Sequence, residues 1–485
     1  MLENVGRVLT KIDDFVWGLP LILLIIAVGI YLTVRLRGLQ IKHLPKALKF
    51  IVKNEENGDG EVSSFAALCT ALSATIGTGN IVGVATAICA GGPGALFWMV
   101  IAALFGMATK YSEGLLAIKY RVIEPDGHVL GGPFYYIEHG MGKKWKWLAK
   151  LFAFFGVCVG LLGLGTFTQI NGISSAVNNF FDPNMSNTVK IFGMEYSWTV
   201  IITGIIVTVC TGLVIIGGIK RISTVSEFVV PFMAILYVTV CVIILIVNIK
   251  AIPAAFGEII AGAFGFKAAA GGMLGAMVLA MQKGVARGIF SNEAGLGSAP
   301  IAAAAAQTKE PARQGLVTMT GTFIDTVVIC TMTGLCIVIT GAWRPELALE
   351  GVGVTTYAFQ NGLFFLPGAV PAFIIMLCLV FFAFTTILGW DYYSEKCLEY
   401  LSGGNLKAVK VYRWIYILAV FFGPYMTISA VWTIADIFNG LMALPNLIAI
   451  VALSGVIASE TKKYFNKFGN CLLYTSDAAD EGLGV

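Results

Sequence analysis

The sequence predicts an all-α integral membrane protein. About eleven transmembrane helices are expected, as two inverted five-helix repeats behind one extra N-terminal helix. Three observations carry this reading. The 485 residues are 57% hydrophobic and only 12% charged, whereas a soluble domain carries about 25% charged residues. Mostly apolar runs of about 18 residues or more recur along the whole length, as in spanning helices and unlike the short alternating strands of a barrel. Two of those runs are interrupted at their centres by glycine and polar residues.

Spans are expected near 15–35, 62–91, 93–118, 148–180, 195–217, 224–248, 267–306, 316–343, 364–394, 412–427 and 430–457. The first follows Lys11, Asp13 and Asp14 and lacks a small-residue cleavage site, so it reads as a retained span, not a signal peptide. With the N-terminus outside, 23 of the 32 Lys and Arg fall in cytoplasmic loops and six outside, while Lys110, Lys283 and Arg287 stay near or within spans. The positive-inside rule therefore orients the chain N-terminus out and C-terminus in, across a cell membrane.

The ten cysteines lie mainly inside the apolar runs. None has metal spacing, so they read as packing residues, and no cofactor is expected. Residues 121–147 suit an interfacial cytoplasmic segment. In 250–264, Phe256, Ile259, Ile260 and Phe264 recur at helical spacing, as in a short amphipathic helix on the outer surface. The chain then divides into an extra helix with a basic segment (1–60), a first repeat (61–249), the outer helix (250–266), a second repeat (267–458) and a cytoplasmic tail (459–470). Residues 471–485 change character abruptly. Their CLLYTSDAADE resembles a translated sequencing-library adapter, and the stretch reads as an artefact in place of a short native C-terminus.

The first interruption is LSATIGTGNIVGVATAICAGG, residues 72–92. Glycine weakens a helix by about 1 kcal/mol relative to alanine, and asparagine in hydrocarbon needs a partner. The second is AMQKGVARGIFSNEAGLGSAPIAAAAAQ, residues 280–307. A membrane helix tolerates a break only where the freed backbone is buried in protein or faces a cavity. Counting from residue 62, a broken helix opens each set of five spans. Five is odd, so the sets are inverted relative to one another, the arrangement that points to a transporter's binding site. Half-helix N-termini suit a carboxylate, and half-helix C-termini suit an ammonium group or sodium. A zwitterionic amino acid presents both charges, and glycine lets the backbone approach it.

Competing readings differ in weight. GTGNIVG is one residue longer than the dinucleotide GxGxxG and follows no strand, which sets nucleotide binding aside. Gly79 with Gly83 fits a helix-packing surface, a reading weakened by Thr78, Asn80 and the second polar break. Lys283, Arg287 and Glu293 form either an ion-pair network latching the cytoplasmic gate or direct ligand contacts. A channel would call for charged or carbonyl rings. An enzyme would need a nucleophile–base pair or a metal cluster in the spans, yet His43, His128 and His139 all fall in cytoplasmic loops.

GGPGALFWMVIAALFG (91–106), SATIGTGNIVG (73–83) and GVARGIFSNEAGLGSAP (284–300) together resemble the alanine-or-glycine:cation symporter family, over residues 15 to about 465. One departure is Val100, where the family's FWMW carries tryptophan. The resemblance implies a leucine-transporter-type fold. It further implies a sodium-coupled (less often proton-coupled) importer of small neutral amino acids, alanine and glycine foremost, with glutamine or serine as alternative substrates. It implies that backbone groups of Thr75, Gly77 and Gly79 hold the substrate carboxylate. Thr78, Asn80, Gly284 and Gly288 are carried as further substrate-lining candidates. It also implies a sodium site from the carbonyls of Ser73 and Ile76 with the hydroxyls of Thr385 and Thr386; otherwise those two threonines would read as back-bonded to their own helix. Gln169 is favoured over Asn171 to line the site, and Phe167 and Trp390 to limit side-chain size. Asp325, a lone carboxylate within a span, is expected either to tune cation coupling or to pair with Lys283 or Arg287. Sodium is expected as a co-transported ion, the chain as a monomer in the bilayer, and nucleic acid as no partner.

Overall fold

The computed structural model describes residues 2–53, 55, 58–191, 194–266, 272–425 and 429–469. The segment 471–485 and Lys267 lie outside them. The chain is helical almost throughout, with two short antiparallel hairpins: β1 (Val122–Ile123) with β2 (Val129–Leu130), and β3 (Thr188–Ile191) with β4 (Met194–Ser197). Among the described residues eight helices are long and apolar enough to cross a membrane, or nine when one bent pair counts as a span.

An N-terminal pair, α1 (Leu2–Val16) and α2 (Leu19–Arg35), comes first. After two short helices over Leu39–Lys42 and Leu44–Val52, Ser63 caps a further helix by accepting the Ala66 N–H at 3.0 Å. This helix, α3 (Ser64–Thr75), is bent by 52° from α4 (Gly79–Gly91). Then follow α5 (Gly94–Lys119), α6 (Lys146–Leu162), α7 (Phe167–Phe181), α8 (Trp198–Ile215) and α9 (Gly218–Val247). The expected outer helix is α10 (Ile252–Ala263), with Ile259 buried and Phe256 and Ile260 exposed. The second half holds α11 (Met273–Asn292), α12 (Ala299–Ala304), α13 (Pro311–Thr340), α14 (Val352–Gly362), α15 (Ala369–Leu401), α16 (Leu406–Phe422), α17 (Ser429–Ala452) and α18 (Ser454–Gly469). Within the described residues, the expected spans 267–306 and 412–427 overlap α11–α12 and α16; α11 carries Lys283 and Arg287, and α16 has 17 residues.

One expected span, 148–180, is interrupted. Between α6 and α7, residues 163–166 leave the helix, and the Thr166 and Thr168 hydroxyls bond back to the Leu161 and Gly163 carbonyls at 2.7 Å. The Tyr416 hydroxyl lies 2.7 Å from the carbonyls of both Gly165 and Ile387, which occupies one of the freed backbone groups. Glycines at 156 and 160 bring α6 against Cys397 and Ser394 of α15.

The face that the basic-residue count assigns to the cytoplasm is tied together by the 121–130 hairpin. Arg121 donates to the carbonyls of Ala304, Ala306, Asp59 and Thr308 at 2.6–2.7 Å. Val62 and Ala306 form a parallel bridge, so the inner ends of both broken helices are joined through backbone. His128 stands between Glu61 (3.1 Å) and Glu399 (2.7 Å), and Lys396 reaches Glu399 at 3.0 Å. These two hydrogen-bonded carboxylates hold the His128 ring proton, raising its pKa to about 9.

Candidate functional site

The helix α3 stops at Thr75 because Gly77 and Thr78 turn their N–H groups to side chains. Gly77 donates to Asn80 Oδ1 at 2.9 Å, not back to the Ser73 carbonyl, and Thr78 donates to Gln169 Oε1 at 3.4 Å. Asn80 and Gln169 are both buried, so these two N–H groups of the break find partners without water. Gly77 has no room for a side chain: a Cβ there would stand 2.5 Å from Thr386 Oγ1. After the break the helix resumes in wide π turns over Gly79–Gly83.

The second break spans residues 293–298. Glu293, Gly295 and Gly297 take positive φ of 56°, 91° and 82°, the left-handed region that ends a helix. The Asn292 side chain accepts the Ala294 N–H at 2.9 Å. The helix ends beside the two breaks touch, since a Cβ on Gly79 would lie 3.2 Å from Ser291 Cα.

Asp325, in a π-helical stretch of α13, ties the breaks together. It accepts from Asn80 Nδ2 at 2.7 Å, from Ser291 Oγ at 3.0 Å and from Thr326 Oγ1 at 2.6 Å. Hydrogen bonding from three side chains is what a buried intramembrane carboxylate requires. Of the two expected roles, pairing with Lys283 or Arg287 is corrected: among the described residues Asp325 forms no ion pair with either.

The threonine pair divides. The Thr386 hydroxyl lies 3.3 Å from the Ile76 carbonyl and 3.0 Å from that of Phe382. The Thr385 hydroxyl instead bonds back to Phe381 and Phe382 at 3.1 and 3.0 Å and lies 3.6 Å from Met233 Sδ. Adjacent helical positions point about 100° apart, so the two face different neighbours. Ser73 and Thr75 are buried in α3 with their hydroxyls bonded to its own carbonyls.

Further expectations are corrected by geometry. Gly284 and Gly288 face α5, not the break: a Cβ on Gly284 would collide with the Ala95 carbonyl, and one on Gly288 would lie 2.9 Å from Met99 Cγ. They are close-packing glycines. Gly83, by contrast, has nothing near its missing Cβ, so the Gly79–Gly83 packing surface is not formed. Lys283, Arg287 and Glu293 form no ion-pair network among the described residues. Glu293 is buried at the break, accepting from Trp390 Nε1 at 3.0 Å and from the Ser298 hydroxyl. Lys283 and Arg287 line a separate cavity with Asp13, Asp14 and Asp436, toward the opposite face from the 121–130 hairpin. Trp390 is thus brought to the second break, whereas Phe167 packs beside Gly423.

Residues not singled out from sequence complete the second break. Glu113 of α5 accepts from Asn446 Nδ2 at 2.7 Å and Gly295 N at 3.2 Å, and Asn446 also donates to the Gly295 carbonyl at 2.9 Å. Lys110 is buried one turn away, within electrostatic reach of Glu113, Glu293 and Asp325. The signal for Lys110 and Glu113 was available, because a charge within a span is functional by default. Ser291 and Asn446 carry no such mark.

Residues 2–472 match the model of the sodium:alanine symporter family. The chain belongs to that family. It is 56% identical over 466 residues to an uncharacterized transporter of Haemophilus influenzae, covering 96% of this chain and 97% of the relative. It is also 47% identical to the sodium/alanine symporter AgcS of Methanococcus maripaludis, covering 93% and 96%. Among solved structures, MhsT in complex with L-phenylalanine matches with a TM-score of 0.55 at 13% identity, covering 83% of this chain and 93% of that one. That likeness supports the leucine-transporter-type fold. As a member of the sodium:alanine symporter family, the chain is a multi-pass membrane transporter.

Proposed function

We propose that this chain imports small neutral amino acids, alanine and glycine foremost, together with sodium by alternating access. The observation that carries the reading is the joining of both broken helices at Asp325, beside freed backbone at residues 76–78. The N–H groups of Gly77 and Thr78, now held by the amide oxygens of Asn80 and Gln169, are donors for a substrate carboxylate. Thr75 and Gly79 flank them, and Trp390 bounds the second break. Sodium binds at the Ile76 and Ser73 carbonyls with the Thr386 hydroxyl, drawn by the nearby Asp325 charge. Sodium is cargo, and no cofactor takes part. The basic loops orient the chain N-terminus out and C-terminus cytoplasmic.

The test is uptake of labelled alanine into proteoliposomes under a sodium gradient, a proton gradient or none. Accumulation only with the sodium gradient is expected. Uptake indifferent to every cation gradient would sink the symport reading.

A further inference from the structure

Between Asp14 and Glu55 the chain has six Lys and Arg and no acid, and all six fall within residues 35–53. Arg37 and Gly38 take left-handed φ of 57° and 67°, which turns the chain out of α2 just after its last turn. The two short helices Leu39–Lys42 and Leu44–Val52 follow at once. One face of the second is packed. Ala47 is buried, and the Lys46 ammonium lies 5.2–5.6 Å from the ring centroids of Phe50, Tyr464 and Phe465. The Arg313 guanidinium of α13 lies 4.6 Å from the Phe50 centroid.

The other face is open. Pro45, Leu48 and Val52 recur at spacings of three and four and are exposed, as is Ile41 on the preceding turn; Val52 is 82% exposed. Arg35, Arg37, Lys42, Lys49 and Lys53 are exposed beside them. Among the described residues none of these five pairs with a carboxylate. Lipid borders the segment where it begins, because α2 is a span and Val34 of its last turn is exposed. An apolar stripe flanked by unpaired bases at the end of a span fits the boundary between acyl chains and headgroups. A soluble polyanion would neutralise the bases and leave the stripe in water. A lipid without net charge would cover the stripe but brings its own cation to the bases. An anionic phospholipid satisfies both.

We propose that the segment Leu39–Lys53 is a binding site for an anionic phospholipid, with its phosphate among Arg37, Lys42 and Lys49 and its acyl chains along Leu48 and Val52. The leaflet is the one on the side of the 121–130 hairpin, since Arg121 donates to the carbonyls of Asp59 and Thr308 just beyond the segment. The site is independent of the cargo. Its packed side is tied to the second half of the chain: Arg313 donates to the Lys53 carbonyl, and the Thr308 hydroxyl donates to Glu55 at 2.6 Å. The bound lipid therefore anchors the stretch that leads into the first broken helix.

The test is equilibrium binding of tail-labelled phosphatidylglycerol to the purified full chain in a neutral detergent, with tail-labelled phosphatidylcholine as the comparison. Saturable binding of phosphatidylglycerol is expected, at least roughly tenfold tighter than phosphatidylcholine and weakening with added salt. Lys42→Gln with Lys49→Gln should lower that affinity at least roughly tenfold, whereas Lys42→Arg with Lys49→Arg should retain it. Lys462→Gln with Lys463→Gln, an exposed basic pair on α18, should stay within about twofold of wild type. Leu48→Ser with Val52→Ser should weaken binding as well, because the stripe holds the acyl chains. Equal affinity for the two lipids, or an unchanged affinity in the Lys42 and Lys49 glutamine variant, would overturn the site. Displacement of the lipid by a short RNA oligonucleotide, with the serine variant binding as wild type does, would assign the surface to a soluble polyanion and overturn it too. None of these outcomes bears on alanine uptake.

Discussion

Thr386 and Thr385 are neighbours in sequence with opposite surroundings. Thr386 faces the freed Ile76 carbonyl, and Thr385 faces Met233 on α9. Removing the Asp325 charge is a test at this scale. Asp325→Asn keeps the shape but turns an acceptor of three hydrogen bonds into a partial donor facing Asn80 and Ser291. Alanine uptake is expected to fall at least about tenfold with near-normal protein yield, as for a lost charged hydrogen-bond partner. Uptake within twofold of wild type would show that Asp325 does not organise the breaks. Gly77→Ala should likewise abolish transport, since its Cβ would meet Thr386 Oγ1 at 2.5 Å. The residues that define the first break were legible because Gly, Thr and Asn are conspicuous in an apolar run. Gly284 and Gly288 were misread because a glycine looks the same in sequence whether it admits a ligand or a neighbouring helix. Only the Ala95 carbonyl and Met99 beside them decide which.

Whole elements meet at the 121–130 hairpin. His128 binds its proton more tightly in the folded chain than its ordinary value of 6.5, up to about 9, through Glu399 and then Glu61, with burial and Lys396 opposing. A raised folded pKa stabilises fully below about 6.5, and that contribution is lost as pH climbs through 9. Thermal unfolding in detergent should therefore shift down by roughly 1–3 °C between pH 6.5 and 9.5, a slope that His128→Ala removes. An unchanged slope in that variant would rule out the histidine as its source. Packing is tested on the other side of the bundle. Gly284→Ala places a methyl on the Ala95 carbonyl, costing about 1–3 kcal/mol of stability while the alanine affinity of the folded fraction stays unchanged. A large loss of affinity instead would return Gly284 to the binding site. Most helices were legible from apolar length alone. The interruption at 163–166 was not, because Gly163 and Gly165 also serve the close approach of α6 to its neighbours, and the partner that occupies the freed carbonyl, Tyr416, lies about 250 residues away.

At the scale of the molecule, the face that carries the 121–130 hairpin is tied by Arg121 and the Val62–Ala306 bridge, while a charged cavity lies on the opposite side of the breaks. Alternating access then requires the hairpin to release both broken helices together. Inversion of the two halves was read from an odd span count and a pair of breaks, and Gly79 of the first broken helix meets Ser291 of the second. The partners of Asp325 were beyond sequence, since Asn80 and Ser291 come from separate helices that only the fold brings together. The central claim is that sodium and substrate share the first break through Thr386, so each should tighten the other's binding by the same factor. The most direct measurement is alanine binding titrated against sodium in Thr386→Ala and Thr385→Ala. The account predicts that Thr386→Ala weakens the sodium dependence at least roughly tenfold, the loss expected of an ion ligand, while Thr385→Ala stays within about twofold of wild type. A Thr386→Ala protein with unchanged sodium dependence would contradict it.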